Sequence, residues 1–140
     1  MAASLNDIRY LAEKIYSDIW LDWYSPFKKP EKATLQVING DSSSGYSHKR
    51  NLIVLFLPDG NLFDADILDV QEWPIWKREL VHEMLHEYQN KVIKKASNIG
   101  SVLKSRSCFL GPGHDDKFYS AVAEKAKYFN FTPEDFFKML

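Results

Sequence analysis

A single heptapeptide, residues 81–87, constrains this chain more than any other feature. It contains the pattern His-Glu-x-x-His, with His82 and His86 four residues apart. In an α-helix such residues lie one above the other on the same face, so both rings can hold one divalent metal ion. Glu83 is displaced by about 100° around the helix and can reach the metal's open position without being a ligand. The pattern is typical of a metal-bound water with a general base beside it.

The residues around this motif favour a helix over positions 74–96. Apolar side chains recur there every four residues: Trp76, Leu80, Met84 and Tyr88. Pro74 fits just before or at the first turn, where its missing N–H costs least. Lys91, Lys94 and Lys95 fall in the last turns and suit the helix dipole. Because the two histidines lie on an otherwise apolar helix, we interpret them as metal ligands rather than as solvated side chains.

A catalytic zinc site usually has three protein ligands and one open position. The longer motif that supplies the third histidine from the same segment is absent, because Gln89 and Val92 occupy its glycine and histidine positions. The third ligand must therefore come from farther along the chain, and the candidates are His114, Asp115, Asp116, Glu124 and Glu134. His114 is the strongest, since it follows a Gly-Pro-Gly bend at the start of a predicted helix. His48 lies in a Ser/Gly-rich loop and is expected on the surface.

The two histidine motifs together resemble the SprT-like zinc metallopeptidases. In that family His-Glu-x-x-His on one helix is followed by a later histidine, typically with Gly-x-x-Phe after it, at the start of another helix. Here the second motif reads His114-Asp115-Asp116-Lys117-Phe118. Phe118 matches in register, whereas Asp115 stands where glycine is usual. The resemblance covers residues 82–129.

This resemblance implies one α+β, zincin-like minimal metallopeptidase domain over residues 1–140. Its expected parts are an N-terminal helix, a small mostly antiparallel sheet, a metal-binding active-site helix and C-terminal helices. The implied activity is zinc-dependent hydrolysis of peptide bonds in a protein or peptide substrate. Zn²⁺ would be held by His82, His86 and His114, and Glu83 would activate the zinc-bound water as general base.

The remaining helices follow from apolar periodicity. Residues 4–23 form an amphipathic pattern that Ser4 or Asn6 can cap. Residues 115–129 form another, with Lys125 at the edge of its apolar stripe. Thr132 as cap and Pro133 at the first position start a short terminal helix that runs to residue 140.

Two stretches, residues 33–38 and 51–57, have the composition of strands. No helix long enough for a parallel crossover lies between them, so we expect an antiparallel pair. Residues 61–73 fit either a short edge strand or a short helix. A substrate chain would lie along an exposed strand edge near residues 52–63, and the aperiodic segment 97–113 would act as a lid. Tyr88, Arg106 and Tyr119 are equal candidates to stabilise the oxyanion.

Composition limits the remaining possibilities. The formal net charge of −1 and the pI of about 6.4 do not support DNA as a partner. Cys108 is the only cysteine, so no intramolecular disulfide can form. No secretory signal and no membrane-spanning apolar run are found, and the protein is expected in the cytoplasm without a membrane partner. Its oligomeric state cannot be read from the residues.

One charge pattern favours an alternative function. Residues 88–114 contain no acid but five basic residues, Lys91, Lys94, Lys95, Lys104 and Arg106. The simpler interpretation is that some of these basic residues complement the helix dipole at the end of a helix and the others lie in a solvated loop. The alternative is a catalytically weak or inactive zincin-fold module that binds a protein or nucleic acid.

Overall fold

The computed structural model describes residues 4–24, 30–58, 73–93, 114 and 116–140. Over these ranges the fold is α+β, as predicted, with four α-helices and one three-stranded sheet. The chain divides into two compact units, residues 1–84 and 85–140. None of the helices in the described ranges is both long enough and apolar enough to cross a membrane. The assignment of the whole chain to one zincin-like domain stays a prediction.

Helix α1 spans Leu5–Trp23 and begins with a capping box. The Ser4 hydroxyl accepts a hydrogen bond from the Asp7 N–H, and the Asp7 carboxylate accepts one from the Ser4 N–H, both at 3.1 Å. Of the two predicted caps, Ser4 is therefore the one used. The apolar face that the sequence predicts is buried at six positions: Ile8, Ala12, Tyr16, Ile19, Trp20 and Trp23.

The sheet contains β1 (Thr34–Asn39), β2 (Gly45–Ser47) and β3 (Leu52–Leu57), in the order β1-β3-β2. Strands β1 and β3 are parallel, and β2 is antiparallel to β3. The predicted antiparallel pairing of residues 33–38 with 51–57 is wrong, and the sheet is mixed rather than mostly antiparallel. The reason is that the connection supplies its own return strand, β2, on the far side of β3. A parallel pair then needs no crossover helix.

Asn51 closes the turn from β2 into β3. Its φ of 49° lies in the left-handed region, which asparagine tolerates better than most residues. The Asn51 carbonyl accepts from the Thr34 N–H at 2.9 Å, and its side-chain amide donates to the Lys32 carbonyl at 3.3 Å. These bonds hold the start of β1 against the start of β3 and so set the parallel register.

Strand β3 is the central strand of this sheet, so residues 52–57 do not form the exposed edge predicted to receive substrate. Residues 59–63 of that predicted edge lie outside the described residues. Immediately before β2 begins, the Ser44 hydroxyl accepts a hydrogen bond from the Phe56 N–H at 3.0 Å. The same hydroxyl donates to Glu79 at 2.6 Å.

Helix α2 spans Ile75–Lys91 and carries the His-Glu-x-x-His motif, and the boundary between the two units falls inside it. The Pro74 carbonyl accepts from the N–H groups of Lys77 and Arg78, so the proline stands just before the first turn. The predicted extension to residue 96 is wrong. The N–H groups of Val92 and Ile93 both donate to the Tyr88 carbonyl, at 2.9 and 3.3 Å, and this closes the last turn. Two successive β-branched residues at this point also favour helix termination.

The second unit continues with α3 (Asp116–Lys125), which passes into a 3-10 turn, Ala126–Phe129, as predicted for residues 115–129. Asn130 ends it in the left-handed conformation, with φ 62°. Helix α4 (Pro133–Met139) begins as predicted, with the Thr132 hydroxyl accepting from the Asp135 N–H at 3.1 Å. The buried residues of this unit include Leu85, Phe118, Tyr119, Ala121, Val122, Ala126 and Phe136.

We predict that Ser44→Ala destabilises the fold by about 1–2 kcal/mol, because it leaves the half-buried Phe56 N–H without its acceptor. Ser43→Ala is the matched control, since Ser43 is the neighbouring serine and is exposed. Its effect should stay within about 0.5 kcal/mol. Urea denaturation measures both changes, and equal stabilities of the two variants would contradict the role of the Ser44 hydroxyl.

Candidate metal centre

The structure brings together the three histidines that the sequence singles out. His82 and His86 lie one turn apart on α2, and His114 lies two residues before α3. One ring nitrogen from each of these three half-buried side chains lies within 4.8 Å of the other two. Among the described residues this group can hold a metal ion. The fourth histidine, His48, is exposed, as the sequence predicts.

The spacing of the nitrogens fits a metal ion. A tetrahedral metal with bonds of about 2.0–2.1 Å separates its nitrogen ligands by about 3.3 Å. The Nε2 atoms of His86 and His114 are 3.1 Å apart, and their ring centroids are 4.6 Å apart. Three imidazoles are also a donor set that suits zinc and other first-row transition metals. The residues present therefore fit a cation at this point.

Phe118 holds two of the three rings. It is fully buried, lies nearly parallel to His86 with centroids 4.5 Å apart, and meets His114 edge-on at 4.8 Å. Phe118 belongs to the first turn of α3 and His114 lies two residues before that helix, so the start of α3 supplies the surface against which His114 rests. The sequence motif contains this aromatic residue but does not show which side chains it contacts.

Glu83 is buried, with 6% of its surface exposed, and it does not belong to the three-histidine group. Burial raises the pKa of the Glu83 carboxyl to about 8, and the negative charge of Glu79 adds to the shift. A cation held by the histidines would act in the opposite direction, because positive charge favours the carboxylate.

Gln89 is a contact of this centre that the sequence analysis missed. Its side-chain oxygen lies 2.9 Å from Nδ1 of His86, the ring nitrogen opposite the one that faces His114. In the sequence Gln89 was notable only for replacing a glycine of a longer zinc motif. A polar residue three positions after a ligand on the same helix face was the signal that could have identified it.

The other predicted ligands are placed elsewhere or not described. Glu124 accepts a hydrogen bond from the Tyr88 hydroxyl at 2.9 Å, and Glu134 pairs with Lys138 at 3.4 Å. Asp115 lies outside the described residues, as does the side chain of Asp116.

The Tyr88 hydroxyl is engaged by Glu124, which argues against Tyr88 as the oxyanion donor. Burial raises the pKa of Tyr88, and the bond to Glu124 adds to the effect. Lys125 lies over the Tyr88 ring, 4.1 Å from its centroid, and desolvation lowers the pKa of this lysine. Tyr119 is buried against Phe137, with centroids 5.0 Å apart, and stays a candidate. Arg106 and the predicted lid, residues 97–113, lie outside the described residues.

Of the basic residues in the stretch 88–114, the structure describes only Lys91. Lys91 forms an ion pair of 2.7 Å with Glu87, one turn earlier on α2. Glu87 is fully buried, so this lysine neutralises an internal carboxylate. The other basic residues of the stretch, Lys94, Lys95 and Lys104, lie outside the described residues together with Arg106.

Comparisons of the chain with protein-family models, with curated proteins and with solved structures gave no match. Arguments about function therefore rest on the residues of the site.

We predict that Phe118→Leu lowers zinc affinity about tenfold, because His86 and His114 lose the ring that orients them. It should also cost stability, though less than the about 3–5 kcal/mol of a buried Phe→Ala change. Phe136→Leu is the matched control. Phe136 is equally buried but packs on Phe129 and Phe131, so the variant should lose stability and keep zinc affinity. Competition with a chelator measures the affinity, and equal zinc affinities of the two variants would contradict the role of Phe118.

Proposed function

We propose that this protein is a zinc-dependent metallopeptidase of the SprT-like kind. The observation that carries the proposal is the convergence of three imidazoles, with a buried carboxyl group next in sequence to one of them. His82, His86 and His114 can hold one metal ion, and Glu83 follows the first of them on the same helix. Three protein ligands and a separate carboxylate are the composition that a catalytic, rather than a structural, zinc site has.

Zinc is the metal that this donor set favours, because neutral imidazole nitrogens in a three-ligand arrangement are typical of catalytic zinc. When bound, zinc supplies a Lewis acid that polarises a carbonyl group and makes a coordinated water more acidic. The contribution of the protein is to fix the three nitrogens, which it does through the helical spacing of α2 and the packing of Phe118 on His86 and His114.

Glu83 is proposed to move the proton. In peptide hydrolysis the oxygen of water bonds to the carbonyl carbon, and the carbon–nitrogen bond then breaks. Glu83 takes a proton from the attacking water and gives it to the leaving nitrogen, which departs as an amine. Its 6% exposure keeps bulk water away from the carboxyl group. The substrate class is a protein or peptide, and a cytoplasmic location, supported by the single cysteine, belongs to the same proposal.

The alternative of a catalytically inactive binding module was motivated by the basic stretch. The part of that stretch that the structure describes does not favour it, because Lys91 is paired with Glu87. The buried Glu83 also has no role in a module that only holds a metal. Peptide hydrolysis is therefore the function that the site supports best.

We predict that Glu83→Gln abolishes hydrolysis and leaves zinc binding intact, because the amide cannot accept the proton and the three nitrogens are unchanged. Cleavage of a quenched-fluorescence peptide library should fall by about 100-fold or more. Zinc content should stay at the wild-type value.

Glu13→Gln is the matched control, since it makes the same change at an exposed carboxylate on α1, and it should cleave like the wild type. A Glu83→Gln protein that cleaves at the wild-type rate would contradict the general-base assignment. A wild-type protein that holds zinc but cleaves no peptide would favour the binding module.

A further inference from the structure

We infer that Gln89 is a positioning residue of the metal centre, whose side-chain oxygen keeps the proton of His86 on Nδ1 so that Nε2 offers its lone pair to the cation. The inference rests on the metal site of the proposed function. It adds a residue that neither binds the metal nor touches the substrate in that proposal. It also gives a reason for a glutamine at the position where longer zinc motifs have glycine.

The contact with Gln89 favours one position for the proton of His86. Oε1 of Gln89 lies 2.9 Å from Nδ1 of His86, three residues earlier on α2. An amide oxygen can only accept a hydrogen bond, so the ring nitrogen facing it is the donor. A neutral imidazole carries one proton, and a proton on Nδ1 leaves Nε2 as the nitrogen with a lone pair.

The surroundings of the other ring nitrogen, Nε2, show why the position of the proton matters for metal binding. Nε2 of His86 faces Nε2 of His114 at 3.1 Å, within the three-histidine group. A ring that carried its proton on Nε2 would point an N–H at the place where a cation is held. Metal binding would then first require the proton to move, and this step would weaken the observed affinity.

A separate contact holds the plane of this ring. Fully buried Phe118 stacks on His86 with centroids 4.5 Å apart and an angle of 26° between the planes. Phe118 thus fixes the plane of the ring, while Gln89 decides which nitrogen holds the proton. The two contacts are independent, because one acts on the ring face and the other on a single atom of its edge.

The experiment compares Gln89→Leu with Gln89→Glu. Leucine removes the acceptor at similar helix propensity, and glutamate retains an acceptor oxygen at the same reach. In the metal-free protein, ¹H–¹⁵N NMR of the ring nitrogens reports the tautomer of His86. We expect the Nδ1–H form in the wild type and in Gln89→Glu, and the Nε2–H form in Gln89→Leu. Zinc affinity, from competition with a chelator, should fall about 10–100-fold in Gln89→Leu only.

Gln36→Leu is the control, since it makes the same substitution at an exposed glutamine of β1 and should change neither measurement. A wild-type His86 with its proton on Nε2, or equal zinc affinity of Gln89→Leu and the wild type, would overturn the role of Gln89 and leave the metal site standing. A wild-type chain that binds no zinc would contradict the proposed function, and with it any role of Gln89 at a metal.

Discussion

The packing of one phenylalanine against two imidazoles is the contact on which the candidate site depends. Bringing nitrogen atoms to 3.1 Å restricts the side-chain rotation of His86 and His114, which costs conformational entropy. Phe118 offsets this cost by burying its ring against both. Because Phe118 also belongs to the buried face of α3, the rings are held by the same apolar packing that stabilises the helix. Gln89 then acts on a ring whose place is already determined.

One turn of helix α2 supplies two candidate metal ligands and the candidate general base. A spacing of four residues aligns His82 with His86, and the intervening 100° step turns Glu83 away from them. Glu83 is buried, and so is Glu87 on the following turn, where Lys91 compensates its charge at 2.7 Å. The buried carboxyl groups of this helix are therefore distinguished by their partners: Glu87 is paired with a lysine, whereas Glu83 lies next to a candidate metal ligand.

Local signals in the sequence predicted local structure well. Ser4 and Thr132 mark two helix starts. The spacing of His82 and His86, together with the position of His114 after a Gly-Pro-Gly bend, identified the group that the structure brings together. The parallel pairing of β1 with β3 was missed because a three-residue strand, Gly45–Ser47, carries too little periodicity to be recognised. The end of α2 was missed because no glycine marks it. Gln89 was missed because its spacing of three residues from His86, the one signal in the sequence, does not show which ring nitrogen it faces.

The most direct test of the account is the zinc content of the purified, untagged protein after incubation with zinc and dialysis. Wild type, His114→Ala and His48→Ala should be compared side by side, since His48 is the exposed histidine outside the group. The account predicts about one zinc per chain in the wild type and in His48→Ala, and much less in His114→Ala. No zinc in the wild type, or undiminished zinc in His114→Ala, would contradict the three-histidine site.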